Sequence, residues 1–114
     1  MKLCGVSIMT DNVPRLVEFY KLVLQCKANG NDIHTGFDDA QLAIWNPGNV
    51  IIPEHKNMSL MYFVDDADVE YARLKALNID INFLSEPEEK PWGVKAFVFN
   101  DPDGNEINFL AQHK

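Results

Sequence analysis

Near the end of the chain a carboxylate and a carboxamide stand two residues apart, Glu106 and Asn108, in the run Asn105-Glu106-Ile107-Asn108-Phe109-Leu110. Alternation of this kind puts both polar groups on one face of a strand and Ile107 and Phe109 on the other. The polar face is either a solvated back or the wall of a site. The other reactive groups are scattered. His34, His55 and His113 stand far apart and show no ligand-like spacing. Cys4 and Cys26 have no CxxC spacing and apolar neighbours, which reads as two reduced, buried thiols of a cytoplasmic protein.

With 114 residues and a hydrophobic fraction of 46%, the chain suits one domain with an ample core. A formal charge of −7 leaves no basic stripe for phosphates, which argues against nucleic acid and anionic membrane as partners and favours cationic ligands. No apolar run approaches the roughly 20 residues of a membrane span. The opening MKLCGVSIMTDN reads as a strand, because Asp11 and Asn12 stand where a signal peptide would carry a small-residue cleavage site.

Two helices would position the candidate strands. The first is expected over 14–25, with Pro14 in its first turn, Asp11 or Asn12 as cap, and Leu16, Phe19, Tyr20, Val23 and Leu24 on the buried side. The second is expected over 66–77, burying Val69, Ala72, Leu74 and Leu77. Val17-Glu18-Phe19-Tyr20-Lys21-Leu22 resembles Val69-Glu70-Tyr71-Ala72-Arg73-Leu74 at a constant offset of 52. Strand-like stretches follow each helix, over 28–30, 33–37 and 41–46 in the first half and 80–84, 94–99 and 105–111 in the second. The chain therefore reads as a duplicated strand-helix-strand-strand-strand module, 1–52 and 56–112, with a Pro- and Gly-broken seam over 47–57. The charged stretch 86–92 reads as a solvated loop, and Asp101-Pro102-Asp103-Gly104 as a type I turn.

Three landmarks in this order carry a family resemblance. They are the first strand running into Asp11-Asn12-Val13-Pro14-Arg15 with Phe19-Tyr20, then Lys90-Pro91-Trp92-Gly93, then Asp101-Pro102-Asp103-Gly104-Asn105. With the internal repeat they make nearly the whole chain resemble the vicinal-oxygen-chelate superfamily of glyoxalases, bleomycin-resistance proteins and extradiol dioxygenases. The resemblance implies an α+β fold of two tandem βαβββ modules forming a U-shaped sheet around a cavity, with the helices outside. It also implies a homodimer.

Metal-dependent members of that superfamily take one His, Glu or Gln from each of four strands. Carried over onto this chain, the four positions fall on Gly5, Ala43 (with Ile44 as the alternative), Ser59 and Asn108. None is a chelating residue of the superfamily's kind. A slip of two residues brings in Glu106 but otherwise only Ser7, Gln41 or Trp45, and Met61, and one carboxylate does not hold a catalytic metal. No metal cofactor is expected. The same strand phase turns Ser7, Met9, Gln41, Trp45, Ser59, Met61, Phe63, Glu106, Asn108 and Leu110 towards the implied cavity, and Trp92 belongs to the loop at its lip. The leading expectation is a binding protein of the bleomycin-resistance type for a small aromatic or cationic ligand, held by Trp92, Trp45, Ser59, Asn108, Met61, Phe63 and Glu106. The alternative is a lyase, isomerase or dioxygenase-type enzyme. It would be metal-free, with Glu106 as general base and Ser59 and Asn108 steadying an oxyanion, or would hold a metal in a non-standard site. Blander readings make Met61 and Phe63 core residues, Trp45 an interface residue, and Ser59 and Asn108 hydrogen-bond partners of each other.

Overall fold

The structure of the chain is a computed structural model, and it describes residues 1–112. His113 lies outside the described residues. Two compact units follow one another, Met1–Glu54 and a second beginning at His55.

In the first unit, strand β1 (Val6–Met9) pairs in parallel with β4 (Leu42–Trp45). The short β2 (Asn29–Gly30) and β3 (His34–Phe37) continue the sheet antiparallel, in the order β1-β4-β3-β2. Helix α1 (Val13–Leu24) begins where the Asn12 carboxamide accepts the Arg15 N–H at 3.2 Å, and Pro14 occupies a first-turn position that needs no N–H. It ends at Gln25, whose left-handed backbone (φ 53°) returns its N–H to the Lys21 carbonyl. Val13, Leu16, Phe19, Tyr20 and Val23 form its buried stripe, and Tyr20 meets Phe37 of β3 edge-on at 6.3 Å.

The second unit repeats the plan. Strand β5 (Ser59–Phe63) is parallel to β8 (Glu106–Gln112). Strand β7 (Val94–Asn100) lies antiparallel between β8 and β6 (Glu88–Lys90), giving β5-β8-β7-β6. Helix α2 (Ala67–Ala76) is capped by Asp66, which accepts the Val69 N–H at 3.1 Å. Acidic Asp68 and Glu70 in its first turn and basic Arg73 and Lys75 in its last complement the helix dipole. Beneath it Phe97 is fully buried among the rings of Tyr71 (5.2 Å), Phe109 (5.7 Å) and Phe99 (5.8 Å). Lys95 Nζ donates to Asp68 at 2.6 Å, a hydrogen bond that raises the lysine pKa and pins α2 to β7.

Four expectations shift. The stretch 80–84 is not a strand: Phe83 makes an isolated bridge to Phe99, and the stretch that reads as a loop contains β6. The outer edge of β7 is covered in two pieces. Leu84 and Ser85 both send their N–H groups to the Val98 carbonyl, the Ser85 hydroxyl takes the Val98 N–H, and Pro87 has no N–H with which to continue the ladder. On α2 the buried residues are Ala67 and Leu74, while Val69 is 62% exposed and Ala72 is exposed. Finally, the helix caps Asn12 and Asp66 stand 54 positions apart, as do the buried first-turn residues Val13 and Ala67. The structural repeat is thus two residues out of step with the helix sequence match, and Gly5 is the counterpart of Ser59.

The Asp101 turn is held by its own side chain. Asp101 is only 4% exposed; its Oδ1 accepts the N–H groups of Asp103 and Asn105, both at 2.9 Å, and its Oδ2 accepts Asn105 Nδ2 at 2.8 Å. Gly104 supplies the left-handed residue (φ 85°) that lets its N–H reach the Asp101 carbonyl. The turn delivers the chain directly into β8, the strand of Glu106 and Asn108.

Candidate functional site

Each sheet has one face towards its helix and one turned away, and strand register decides which residues share them. In the first unit Ser7 pairs with Ala43 and Ala43 with Gly36, while Met9 pairs with Trp45 and Trp45 with His34. The buried partners Leu42–Phe37 and Ile44–Thr35 alternate with these and belong to the helix side. The open face therefore has a row of small side chains beside a row of Met9, Trp45 and His34. Met9, Trp45 and His34 are all exposed. His34 was not expected on this face. Its alternation with Thr35 and Phe37 was visible in the sequence, and its pairing with Trp45 was not.

In the second unit the open face holds Ser59, Met61 and Phe63 of β5 opposite Glu106, Asn108 and Leu110 of β8. Val98 and Ala96 of β7 continue the rows of Asn108 and Leu110. Val94, Ala96 and Leu110 make a buried apolar cluster on this face. Met61 and Phe63 are 62% and 69% exposed, so neither belongs to a closed core of the unit. Glu106 is half-buried. Trp92 follows β6 in the tight turn that Gly93 closes onto the Lys90 carbonyl, and it is 71% exposed.

The sharpest feature of this face lies at Ser59 and Asn108. Ser59 Oγ and Asn108 Oδ1 are buried, and neither has a hydrogen-bond partner. They do not bond each other, which corrects the bland reading of the pair. Buried polar atoms without partners are rare, and each costs about 1–3 kcal/mol. A second carboxamide on the same face is already used: Asn100 Oδ1 accepts from Asn82 at 2.7 Å, and its Nδ2 donates to the Gly104 carbonyl at 3.2 Å.

Taken unit by unit, the positions carried over by the resemblance, Gly5 and Ala43 in the first and Ser59 and Asn108 in the second, hold no strong metal donor. Gly5 and Ala43 bring no side-chain donor, and a Cβ at Gly5 would lie 3.0 Å from the Gln41 carbonyl, which leaves little room for a longer ligand. Ser59 and Asn108 are neutral oxygen donors, poor partners for the metals of lyases and dioxygenases. Among the described residues no three His, Cys, Asp or Glu side chains gather as a metal cluster.

The thiols differ from expectation, because Cys4 is exposed and Cys26 only partly buried. Burial, and then the nearby Asp39 charge, push the Cys26 thiol up, and its Sγ also donates to the Leu24 carbonyl. Iodoacetamide is expected to alkylate Cys4 several-fold faster than Cys26, read by mass spectrometry of the two peptides; equal rates would contradict that environment.

A polar cleft of about 240 Å³ beside α1, lined by Glu18, Lys21, Asn31 and Thr35 among others, went unseen in the sequence. Its groups are committed to local bonds: Asn31 Oδ1 takes the Ile33 and His34 N–H groups, Thr35 donates to the Asn31 carbonyl, and Lys21 pairs with Glu18. No helix among the described residues is long and apolar enough to cross a membrane.

Residues 4–111 match the family of glyoxalase-like domains. No protein of curated function shows a sequence match. Among solved structures, a glyoxalase/bleomycin resistance protein/dioxygenase from Nocardioides is similar with TM-score 0.81 and 21% identity, over 100% of this chain and 85% of the other. A glyoxalase-related enzyme from Fulvimarina pelagi matches with TM-score 0.79 and 16% identity, over 97% and 88%. A lactoylglutathione lyase from Agrobacterium tumefaciens matches with TM-score 0.73 and 17% identity, over 96% and 92%. At these identities the likenesses establish the fold.

Proposed function

Because the chain belongs to the glyoxalase-like domain family, we propose that it is a small-molecule binding protein of the glyoxalase/bleomycin-resistance superfamily that works without a divalent metal and takes a small aromatic or cationic ligand. The observation that carries this reading is the donor set at the superfamily's four ligand positions. Two of them, Gly5 and Ala43, carry no side-chain donor, and the other two, Ser59 and Asn108, carry orphaned neutral oxygens. A catalytic divalent metal needs about three strong donors and an open position. What the faces do offer is the equipment of ligand recognition: Trp45, Phe63 and Trp92 as flat apolar surfaces, Met9 and Met61 as adaptable ones, and Glu106 as a counter-charge in a protein of net charge −7.

Metal analysis of the purified protein is expected to give far less than one zinc, nickel, iron or manganese per chain, and stoichiometric metal would overturn the reading. Titration with planar cations, followed by tryptophan fluorescence, is expected to report saturable binding at Trp45 or Trp92. Silence across a broad set of such compounds would end the proposal. Turnover of any compound that Glu106→Gln abolishes would replace it with the metal-free enzyme.

Exposed Met9 and Trp45 on one sheet face and Met61 and Phe63 on the other are apolar groups that a homodimer would cover, and they support that reading. Light scattering should then give twice 13.0 kDa; a monomer at micromolar concentration would remove that part. The two free thiols suit a reducing, cytoplasmic setting.

A further inference from the structure

We propose that the corner formed by Ser59, Glu106 and Asn108 recognises an N–H group, so that the ligand presents an amide or a protonated amine there and lays an apolar body over Met61 and Phe63. The inference rests on the binding reading above and adds the chemistry of the ligand's head. Ser59 is the strand partner of Glu106, and Met61 of Asn108, so the three oxygen-bearing side chains occupy neighbouring positions on one face. Asn108 Oδ1 can only accept, and it is buried with no donor. The Glu106 carboxylate, as an anion, can only accept. Ser59 Oγ, also buried and unpartnered, has one proton to give.

A carboxamide in the next row is turned elsewhere. Asn100, the strand partner of Glu106 on β7, gives one of its amide protons to the Gly104 carbonyl. Even counting the Asn108 Nδ2 protons, the acceptor lone pairs of the three side chains outnumber their donors, and Asn108 Oδ1 is left without one. A carboxylate would set its charge against Glu106, and an ester, which could take the Ser59 proton on its carbonyl, would offer nothing to Asn108 Oδ1. An N–H group would satisfy Asn108, and an amide would also take the Ser59 proton on its carbonyl. The neighbouring carboxylate extends the preference to cations. Met61 and Phe63 follow Ser59 along β5 on the same face, exposed and apolar, and fix the side from which the rest of the molecule is held.

Isosteric probes test the assignment. N-methylbenzamide and methyl benzoate have nearly the same shape and differ in an N–H replaced by oxygen; benzylamine supplies the charged head. Binding is followed by NMR shifts of Ser59, Met61 and Asn108 in the full chain. N-methylbenzamide and benzylamine are expected to bind about tenfold more tightly than methyl benzoate, the effect of one well-made hydrogen bond. Asn108→Leu should erase the difference. Asn108→Asp, which keeps the acceptor and removes the amide's own donors, should retain N-methylbenzamide and tighten benzylamine several-fold. Methyl benzoate binding as well as N-methylbenzamide, or loss of both N–H probes in Asn108→Asp with the spectrum otherwise intact, would overturn the head-group assignment and leave the binding reading standing. If none of the three probes shifts any signal of this face up to its solubility, both fall.

Discussion

Replacing Asp101 by Ala is expected to lower the unfolding free energy by about 3–4 kcal/mol. The carboxylate is almost fully buried and accepts two backbone N–H groups and one side-chain N–H within its own turn. Hydrogen bonds to a charged acceptor contribute about 1.5–3 kcal/mol each, and Ala strands two backbone donors as well as deleting the acceptor. Asp101→Asn keeps an oxygen where Oδ1 stands and presents an amide to Asn105 Nδ2, so it should lose about half as much. Urea unfolding at matched pH reads both, and equal midpoints for the wild type and Asp101→Ala would show that the turn forms without its clamp. The loss would also fall on function, because the turn opens into Glu106, where Ser59 and Glu106 set the register of β5 against β8.

That turn shows what local sequence can and cannot reveal. Asp-Pro-Asp-Gly announces a bend through its residue types, and Ile107 and Phe109 announce the buried side of the following strand. The first helix was equally plain, since its cap, its Pro14 and its apolar stripe agree on one answer. The second helix was not. Its apolar residues are few, and Glu70 and Arg73 form an ion pair while half-buried along the side that Ala67 and Leu74 define. Charge at those positions hides the period and makes Val69 look like the core residue it is not. The outer edge of β7 misled for another reason. Its pairing is divided between Phe83–Ser85 and β6, and the division is set by the Ser85 hydroxyl taking a backbone N–H, a choice no periodicity encodes.

The same limit applies to the candidate site. Strand alternation was enough to place Gly5, Ser7, Met9, Ala43 and Trp45 in one set and Ser59, Met61, Phe63, Glu106 and Asn108 in another, and the registers of β1 with β4 and β5 with β8 align members within each set. Alternation could not say whether the polar members find partners. A serine and an asparagine on neighbouring strands look in sequence like a self-satisfied pair. Only side-chain geometry separates a closed hydrogen bond from two open ones, and here both are open. The 52-residue echo between the helices misleads by two residues because it aligns Glu18 and Lys21 with the half-buried pair Glu70 and Arg73, whereas the helix caps align at 54.

Two open hydrogen bonds in a folded protein carry a stability cost that can be measured without knowing the ligand. The double substitution Ser59→Ala with Asn108→Leu is expected to stabilise the ligand-free protein by about 2 kcal/mol, roughly 10 °C in Tm, because it removes two buried polar atoms that have no partner. Leu keeps the branched outline of Asn with two bulkier methyls, on a face that leaves Asn108 only half-buried, and Ala leaves only the space of one hydroxyl, so the figure of about 2 kcal/mol is net of a modest packing cost. The measurement needs protein freed of co-purified small molecules by unfolding and refolding, since a bound ligand would stabilise the wild type and mask the difference. An unchanged or lowered Tm would mean that water satisfies the pair, and the cost assigned to Ser59 and Asn108 would vanish with it. A raised Tm joined to weaker binding of N–H probes would show one pair of atoms acting in both directions. The polarity that weakens the empty fold is then the polarity that a ligand completes, the relation expected where a site retains unsatisfied groups for recognition.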